Sequence, residues 1–240
     1  MTKTYWEGEL RMSNINSCPF CEEFVKENSN ILNESRIIAE TNSFIVLPTT
    51  GGFIENYLLI LPKTHLNCFG ELTIEQFKEL KRIIEWQKKV NKYYFNCNTS
   101  MFEHGALHPV NTSGKSIVHA HLHIFPNNKT LIPEINKYGF SIIVIDDIED
   151  LNKICINNET YLYYSDINDK NYVILHTGIP SQFLRKVLAD SKRLTNWNWR
   201  EDPCVENLKN TLEFYKKNER CYEIYDRKEI NNDNFTKRKL

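Results

Sequence analysis

The chain has 240 residues, 41% of them hydrophobic, enough apolar material for one large domain or two small ones. Its formal net charge is −1, which argues against broad charge-driven coating of nucleic acid or membrane and leaves room for a local basic pocket. No apolar run approaches the roughly 18–20 residues of a membrane helix, and Met1 to Arg11 lacks the apolar stretch of a secretory signal, so the expected location is the cytoplasm. Seven cysteines, odd in number and irregularly spaced, argue against a disulfide framework.

Residues 1–17 read as a loose lead-in, followed by Cys18-Pro19-Phe20-Cys21 and a short polar stretch anchored by Phe24 and Val25. Arg36–Glu40 and Phe44–Leu47 are apolar strand candidates around a Thr41-Asn42-Ser43 turn. Tyr57–Leu61 reads as a buried strand ended by Pro62. Thr73 and Gln76 form a capping box ahead of the strongest helical pattern, Ile74 to Lys92. Strands are expected over Thr99–Glu103, Ile117–Phe125 and Phe140–Ile145, and Tyr161–Tyr164 should pair with Tyr172–His176 across the 166–171 turn. Ser181 is placed to cap a helix carrying Phe183, Leu184, Val187 and Leu188, and a last helix spans about Pro203 to Lys217. With no repeat or low-complexity linker, this order predicts an α+β fold: an antiparallel sheet with a long helix on it and a C-terminal strand and helix extension.

His119, His121 and His123 alternate with Ala120, Leu122 and Ile124. In a strand the three imidazoles would share one face, about 6.5–7 Å apart by Cα, with the apolar set toward the core. Imidazoles titrate near neutrality, which suits a nucleophile, an acid–base pair or metal ligands better than packing. Gly114-Lys115-Ser116 lies just before them. A glycine admits close approach of an anion, and the Lys115 ammonium and Ser116 hydroxyl can bind phosphate oxygens. The tripeptide lacks the first glycine and the spacing of a Walker A loop, and by itself it is also an ordinary turn.

His119-Ala120-His121-Leu122-His123-Ile124-Phe125 resembles the signature of the histidine triad (HIT) superfamily, and Ile60–His65 and Gly114–Val118 resemble the matching parts of HIT domains. The resemblance covers roughly Cys18 to Lys129, implying a HIT domain at 18–130, a packed α/β extension at 131–220 and a polar, frayed tail at 221–240. It implies a nucleotide substrate and a hydrolase or nucleotidyltransferase acting at the α-phosphate through a nucleotidyl-histidine intermediate. His121 would be the nucleophile, His123 would contact the phosphate or position His121, and Ser116 would donate a hydrogen bond to an oxygen of the phosphate or leaving group. Gly114, Lys115, Ser116, His123 and Glu103 form the expected substrate contacts. Glu103-His104-Gly105 resembles a stretch in some HIT-like proteins from which either side chain could reach substrate, and it also reads as an ordinary strand end.

Cys18-x-x-Cys21 has zinc-knuckle spacing but supplies only two ligands. In zinc-containing HIT proteins the other two are histidines at the positions matching His65 and His119, which implies a closed, structural Cys18, Cys21, His65, His119 site. A redox pair lacks its βαβ context here, two reduced thiols remain an alternative, and Cys68 is either a substitute ligand or a small buried residue. His108 and His176 read as structural or solvent-exposed. Ser181–Arg185 and Trp197–Arg200 resemble a segment that follows the HIT domain in some family members, in which Arg185 and Arg200 could meet a phosphate or carboxylate. The competing functional readings are a non-catalytic nucleotide- or RNA-binding module and a phosphorylase using inorganic phosphate. No membrane partner is expected. Oligomeric state stays open between a homodimer and a chain whose extension covers the dimer surface.

Overall fold

The computed structural model describes residues 18–26, 29, 31–32, 34–106, 117–157, 160–175, 178–223, 225 and 235–237. The expected α+β architecture forms. Among the described residues one antiparallel sheet carries nine strands in the order β6-β8-β7-β4-β5-β3-β2-β1-β9. They are β1 (Ala39–Glu40), β2 (Phe44–Pro48), β3 (Leu58–Pro62), β4 (Asn98–Ala106), β5 (Leu122–Asn127), β6 (Ile142–Ile145), β7 (Thr160–Ser165), β8 (Asn171–Ile174) and β9 (Thr236–Lys237). The long helix α2 (Ile74–Phe95) starts at Thr73, whose Oγ1 accepts from Gln76 N at 3.2 Å while Gln76 Oε1 accepts from Thr73 N at 2.9 Å. It ends at Asn96 in the left-handed conformation, past the expected Lys92, because Tyr94 and Phe95 pack edge-to-face and tilted against Phe214.

Register explains the layers. Partners across an antiparallel ladder share a face, and alternate residues change it. Leu58, Ile60, Leu122, Ile124 and Met101 meet Phe77, Leu80, Ile83 and Trp86 of α2 on one side. On the other side, Leu59, Leu61, Ile45 and Leu47 lie under α1 (Pro19–Lys26), and Phe102, Phe125, Leu162 and Tyr164 lie under α5 (Phe183–Ser191). The central strands are therefore buried on both faces, which is why β2 and β3 read as continuous apolar runs. The remaining helices are α3 (Ile132–Asn136), α4 (Leu151–Asn157), α6 (Val205–Lys217) and α7 (Arg220–Glu223). No described helix is long and apolar enough to cross a membrane.

Beyond shifts of a few residues at other element ends, four expectations change. Arg36–Glu40 shortens to Ala39–Glu40, because Arg36 leaves the ladder to bind the Glu23 carboxylate through Nε and Nη2. Ile117–Phe125 becomes Leu122–Asn127, because Ala120 N donates to Leu66 O at 2.7 Å and His119 is drawn to Pro62 O. Gln182, in the left-handed region at φ 64°, precedes α5 in place of Ser181. Within 221–240, expected as a polar, frayed tail, Cys221, Tyr222 and Tyr225 are buried, and β9 pairs with β1.

Candidate functional site

The first centre is a four-residue cluster. Cys18 and Cys21 sit three apart at the start of α1, a spacing that turns both thiols to one side of the helix. His65 follows the end of β3, and His119 precedes β5. One donor atom from each lies within 4.8 Å of all the others. His119 Nδ1 is 3.4 Å from Cys18 Sγ and 3.5 Å from Cys21 Sγ, and His65 Nδ1 is 3.3 Å from Cys21 Sγ. The N···S edge of a tetrahedral Cys₂His₂ metal site is roughly 3.6 Å.

The protonation chemistry fits a cation as well. His119 Nε2 lies 2.9 Å from Pro62 O, an acceptor only, so Nε2 carries the hydrogen and Nδ1 turns its lone pair to the thiols. Burial holds the His119 pKa down to about 4 and also lowers that of His65. Burial, and then Cys18 beside it, pushes the Cys21 thiol up to about 12. Two neutral imidazoles and two cysteines, of which Cys21 resists ionising, are a costly group to bury together, and a metal ion would remove the cost by taking the sulfurs as thiolate ligands. The rings of Phe20 and Phe24 stand edge-on to His119 at 5.8 and 5.7 Å and close the cluster from the α1 side.

The second centre adjoins it. His121 Nδ1 lies 2.6 Å from His119 O. A carbonyl only accepts, so Nδ1 carries the hydrogen and Nε2 keeps its lone pair. His123 is 5.0 Å away, ring to ring, and its Nδ1 lies 3.0 Å from Tyr57 Oη. Phe102 stacks on His123 at 4.4 Å. Burial lowers the pKa of both histidines, with Arg185 adding to the effect at His121, and His121 followed by Arg185 adding to it at His123. Both rings are neutral at pH 7, the form in which an imidazole can serve as a nucleophile, a base or a hydrogen-bonding partner.

A cavity of about 410 Å³ opens over this pair. Phe20, Phe102, His104, His121, His123 and Arg185 are among the residues lining it. His104 shares the face of Phe102, and its pKa is held down to about 4 by the surrounding protein and by His121.

The three histidines thus divide: His119 joins the cluster, and His121 and His123 line the cavity. Only His123 lies within β5. Glu103 is a correction. It shares the α2 face with Tyr163, is 1% exposed, and accepts from Phe69 N at 2.7 Å and Tyr161 Oη at 2.6 Å. A carboxyl sealed there on the far face of the sheet is not a substrate contact. Cys68 lies outside the cluster, its Sγ 3.3 Å from Cys155 Sγ. Gly114, Lys115 and Ser116, like His108 and His176, lie outside the described residues.

Sequence reasoning missed Tyr57 and Phe102, offered His104 only as an alternative to Glu103, and gave Arg185 no defined partner. The parity of Tyr57 with Leu59 was readable, but the β3–β5 register that carries Tyr57 to His123 was not.

No family model and no curated protein matches the chain. Among solved structures, it is similar to a Hit-like protein involved in cell-cycle regulation from Bartonella henselae, at 17% identity over 57% of this chain and 93% of that one, with a TM-score of 0.34. It is also similar to a HIT family protein from Bacillus anthracis, at 16% identity over 59% of this chain and 93% of that one, with a TM-score of 0.35.

Proposed function

We propose that this chain is a histidine triad nucleotide hydrolase or nucleotidyltransferase that acts at an α-phosphate, with a structural zinc ion on Cys18, Cys21, His65 and His119. The observation that carries the reading is the His119 carbonyl on His121 Nδ1. It fixes the tautomer that aims an unprotonated Nε2 at a substrate, and the lowered pKa keeps that nitrogen free at neutral pH.

In the first step His121 Nε2 attacks the α-phosphorus. A P–N bond forms, the bond from phosphorus to the leaving-group oxygen or nitrogen breaks, and the leaving group departs with the electron pair. In this reading Tyr57, beside the Arg185 guanidinium, donates its hydrogen to His123 Nδ1, which leaves the His123 hydrogen on Nε2. That N–H stabilises a phosphate oxygen, and the leaving group takes its proton from His123, Ser116 or water. In the second step the acceptor, water in a hydrolase, attacks phosphorus and gives its proton back to the group that protonated the leaving group, the P–N bond breaks, and its electron pair returns to Nε2.

Cys18, Cys21, His65 and His119 would hold the zinc ion, and that ligation would tie α1 to the His119 segment, whose carbonyl orients His121. His119 would act as a ligand and, through its carbonyl, as the acceptor for His121 Nδ1–H, and not as an acid. Gly114, Lys115 and Ser116 complete the phosphate contacts in this reading.

The test is a substrate panel of a dinucleoside tetraphosphate, a nucleoside phosphoramidate and a nucleotide sugar, with His121→Ala in parallel. Release or transfer of a nucleoside monophosphate by the wild type and not by the variant supports the enzyme. Nucleotide binding without turnover of any substrate sinks it in favour of a binding module. Acceleration by inorganic phosphate marks a phosphorylase.

A further inference from the structure

Among the described residues, two cavity-lining arginines have no acidic partner. Glu23, Arg36, Arg185 and Arg200 supply the formal charges among the described cavity residues, and Glu23 is taken by Arg36, with contacts of 2.6 and 2.8 Å. Arg185 and Arg200 make no ion pair among the described residues. In a chain of net charge −1, this leaves a cavity carrying two unmatched positive charges.

Arg185 is the more telling of the two, because it is only 3% exposed. A buried charge is costly unless something compensates it. Here the compensation is neutral: Nε donates to Trp197 O at 3.1 Å, Nη2 donates to Gly51 O, and the guanidinium carbon stands over the rings of Phe53 and Tyr57 at 5.4 and 5.5 Å. These contacts hold the fork in place without cancelling its charge. Arg185 also lies in the first turn of α5, and the residues from Ser181 to Arg185, which lead into and open that helix, line the cavity. Gln182 makes no side-chain cap there; its amide instead binds Asn198 Oδ1 at 2.9 Å and Trp199 N at 3.3 Å. The positive end of the helix dipole and a buried guanidinium therefore face the same space.

The Gln182 amide fixes the 198–199 turn beside α5 and carries Trp199 and Arg200 to the same cavity. Arg200 lies over the Trp199 ring at 4.7 Å, with its side chain exposed. Gly51 fits under this turn only because it has no side chain: a Cβ there would stand 2.3 Å from Trp199 Cβ.

We propose that Ser181–Arg200 builds a distal phosphate subsite, in which Arg185 and Arg200 bind phosphates beyond the one attacked by His121, so that the preferred substrates carry an extended polyphosphate chain. The subsite rests on the nucleotide reading above and narrows it. A phosphoramidate with a small neutral leaving group leaves both arginines unmatched, whereas a dinucleoside polyphosphate or nucleoside triphosphate neutralises them.

The test is calorimetric binding to the metal-loaded protein of a non-hydrolysable methylene-bridged dinucleoside tetraphosphate, with the nucleoside monophosphate as reference. The subsite requires the tetraphosphate analogue to bind at least about tenfold tighter than the monophosphate, with a steeper loss in salt. Arg200→Ala, at an exposed position, should weaken the analogue about tenfold and the monophosphate less than about twofold. Arg185→Lys, checked for an unchanged melting temperature, should also weaken the analogue about tenfold. Equal binding of the two ligands by the wild type, or equal losses on both in Arg200→Ala, overturns the subsite and leaves the nucleotide reading standing. Failure of the wild type to bind either ligand overturns both.

Discussion

Tyr57 Oη and His123 Nδ1 lie 3.0 Å apart, a bond made across the sheet between the residue that leads into β3 and the third histidine of the triad. Tyr57 is 1% exposed, and the Arg185 guanidinium on its other side directs its hydrogen toward the imidazole. Tyr57→Phe keeps the ring and frees the His123 tautomer. We expect kcat to fall about tenfold to a hundredfold, with KM within about twofold. Steady-state kinetics with a thermal melt would check it, and an unchanged kcat would remove His123 tautomer control from the mechanism.

The four-donor cluster should hold one metal ion per chain. Native mass spectrometry before and after chelation should record its loss together with a lower Tm, and Cys21→Ala should reproduce both effects. Because burial holds the Cys21 thiol up near 12, binding must displace thiol protons, so apparent affinity should fall as pH falls. A metal content independent of pH between 5 and 8 would contradict the ligand set.

Buried neutral histidines set the acid side of the stability profile. The folded pKa of His119 is about 4 and that of His123 is lowered well below its ordinary value, against roughly 6.5 in an unfolded chain. Between those values the unfolded state binds more protons, so unfolding free energy rises with pH. The contribution is complete above about 6.5 and is lost as pH falls toward about 4. At a metal-bound His119, proton competition with the ion acts in the same direction. Denaturant melts from pH 4 to 8 would test the slope, and a profile flat from 4 to 6.5 would refute it.

Glu103→Gln separates a structural carboxyl from a substrate contact. Burial pushes the Glu103 pKa well above its usual value, so a neutral amide suits the site between Phe69 N and Tyr161 Oη. The expected stability loss is about 1–2 kcal/mol, with kcat/KM within about twofold of wild type. A hundredfold loss of activity in a stable variant would restore Glu103 to the active site.

Gly51→Ala should act on the cavity from beneath. At φ +68° alanine is strained, and the methyl group would collide with Trp199 Cβ. A stability loss of about 1–3 kcal/mol is expected. If Gly51 matters only to the fold, monophosphate and polyphosphate ligands will be affected alike; displacement of the 197–200 turn will weaken the polyphosphate selectively.

What could be read from the sequence was local. Helix α2 was legible because its cap and apolar spacing lie in one continuous segment, and the β7–β8 hairpin because its turn residues separate an aromatic run from an apolar one. The start of β5 was hidden because it depends on Pro62 and Leu66, more than fifty positions earlier. The Glu103 assignment failed by one residue of parity: His104, beside it, points to the cavity side. Arg185 stood out as an arginine in a helix, but nothing local announced that its charge would be buried under the triad.

The placement of β7 also bears on self-association. Strand β4 gives one edge to β5 over Asn98–Phe102 and the other to β7 over Met101–Ala106. The chain thereby serves as its own neighbour, and a second copy cannot lengthen the sheet through β4 without evicting a strand that belongs to the same polypeptide. Strand addition is left to the outer strands, and at β6 the exposed Ile143 and Val144 make that rim the adhesive one.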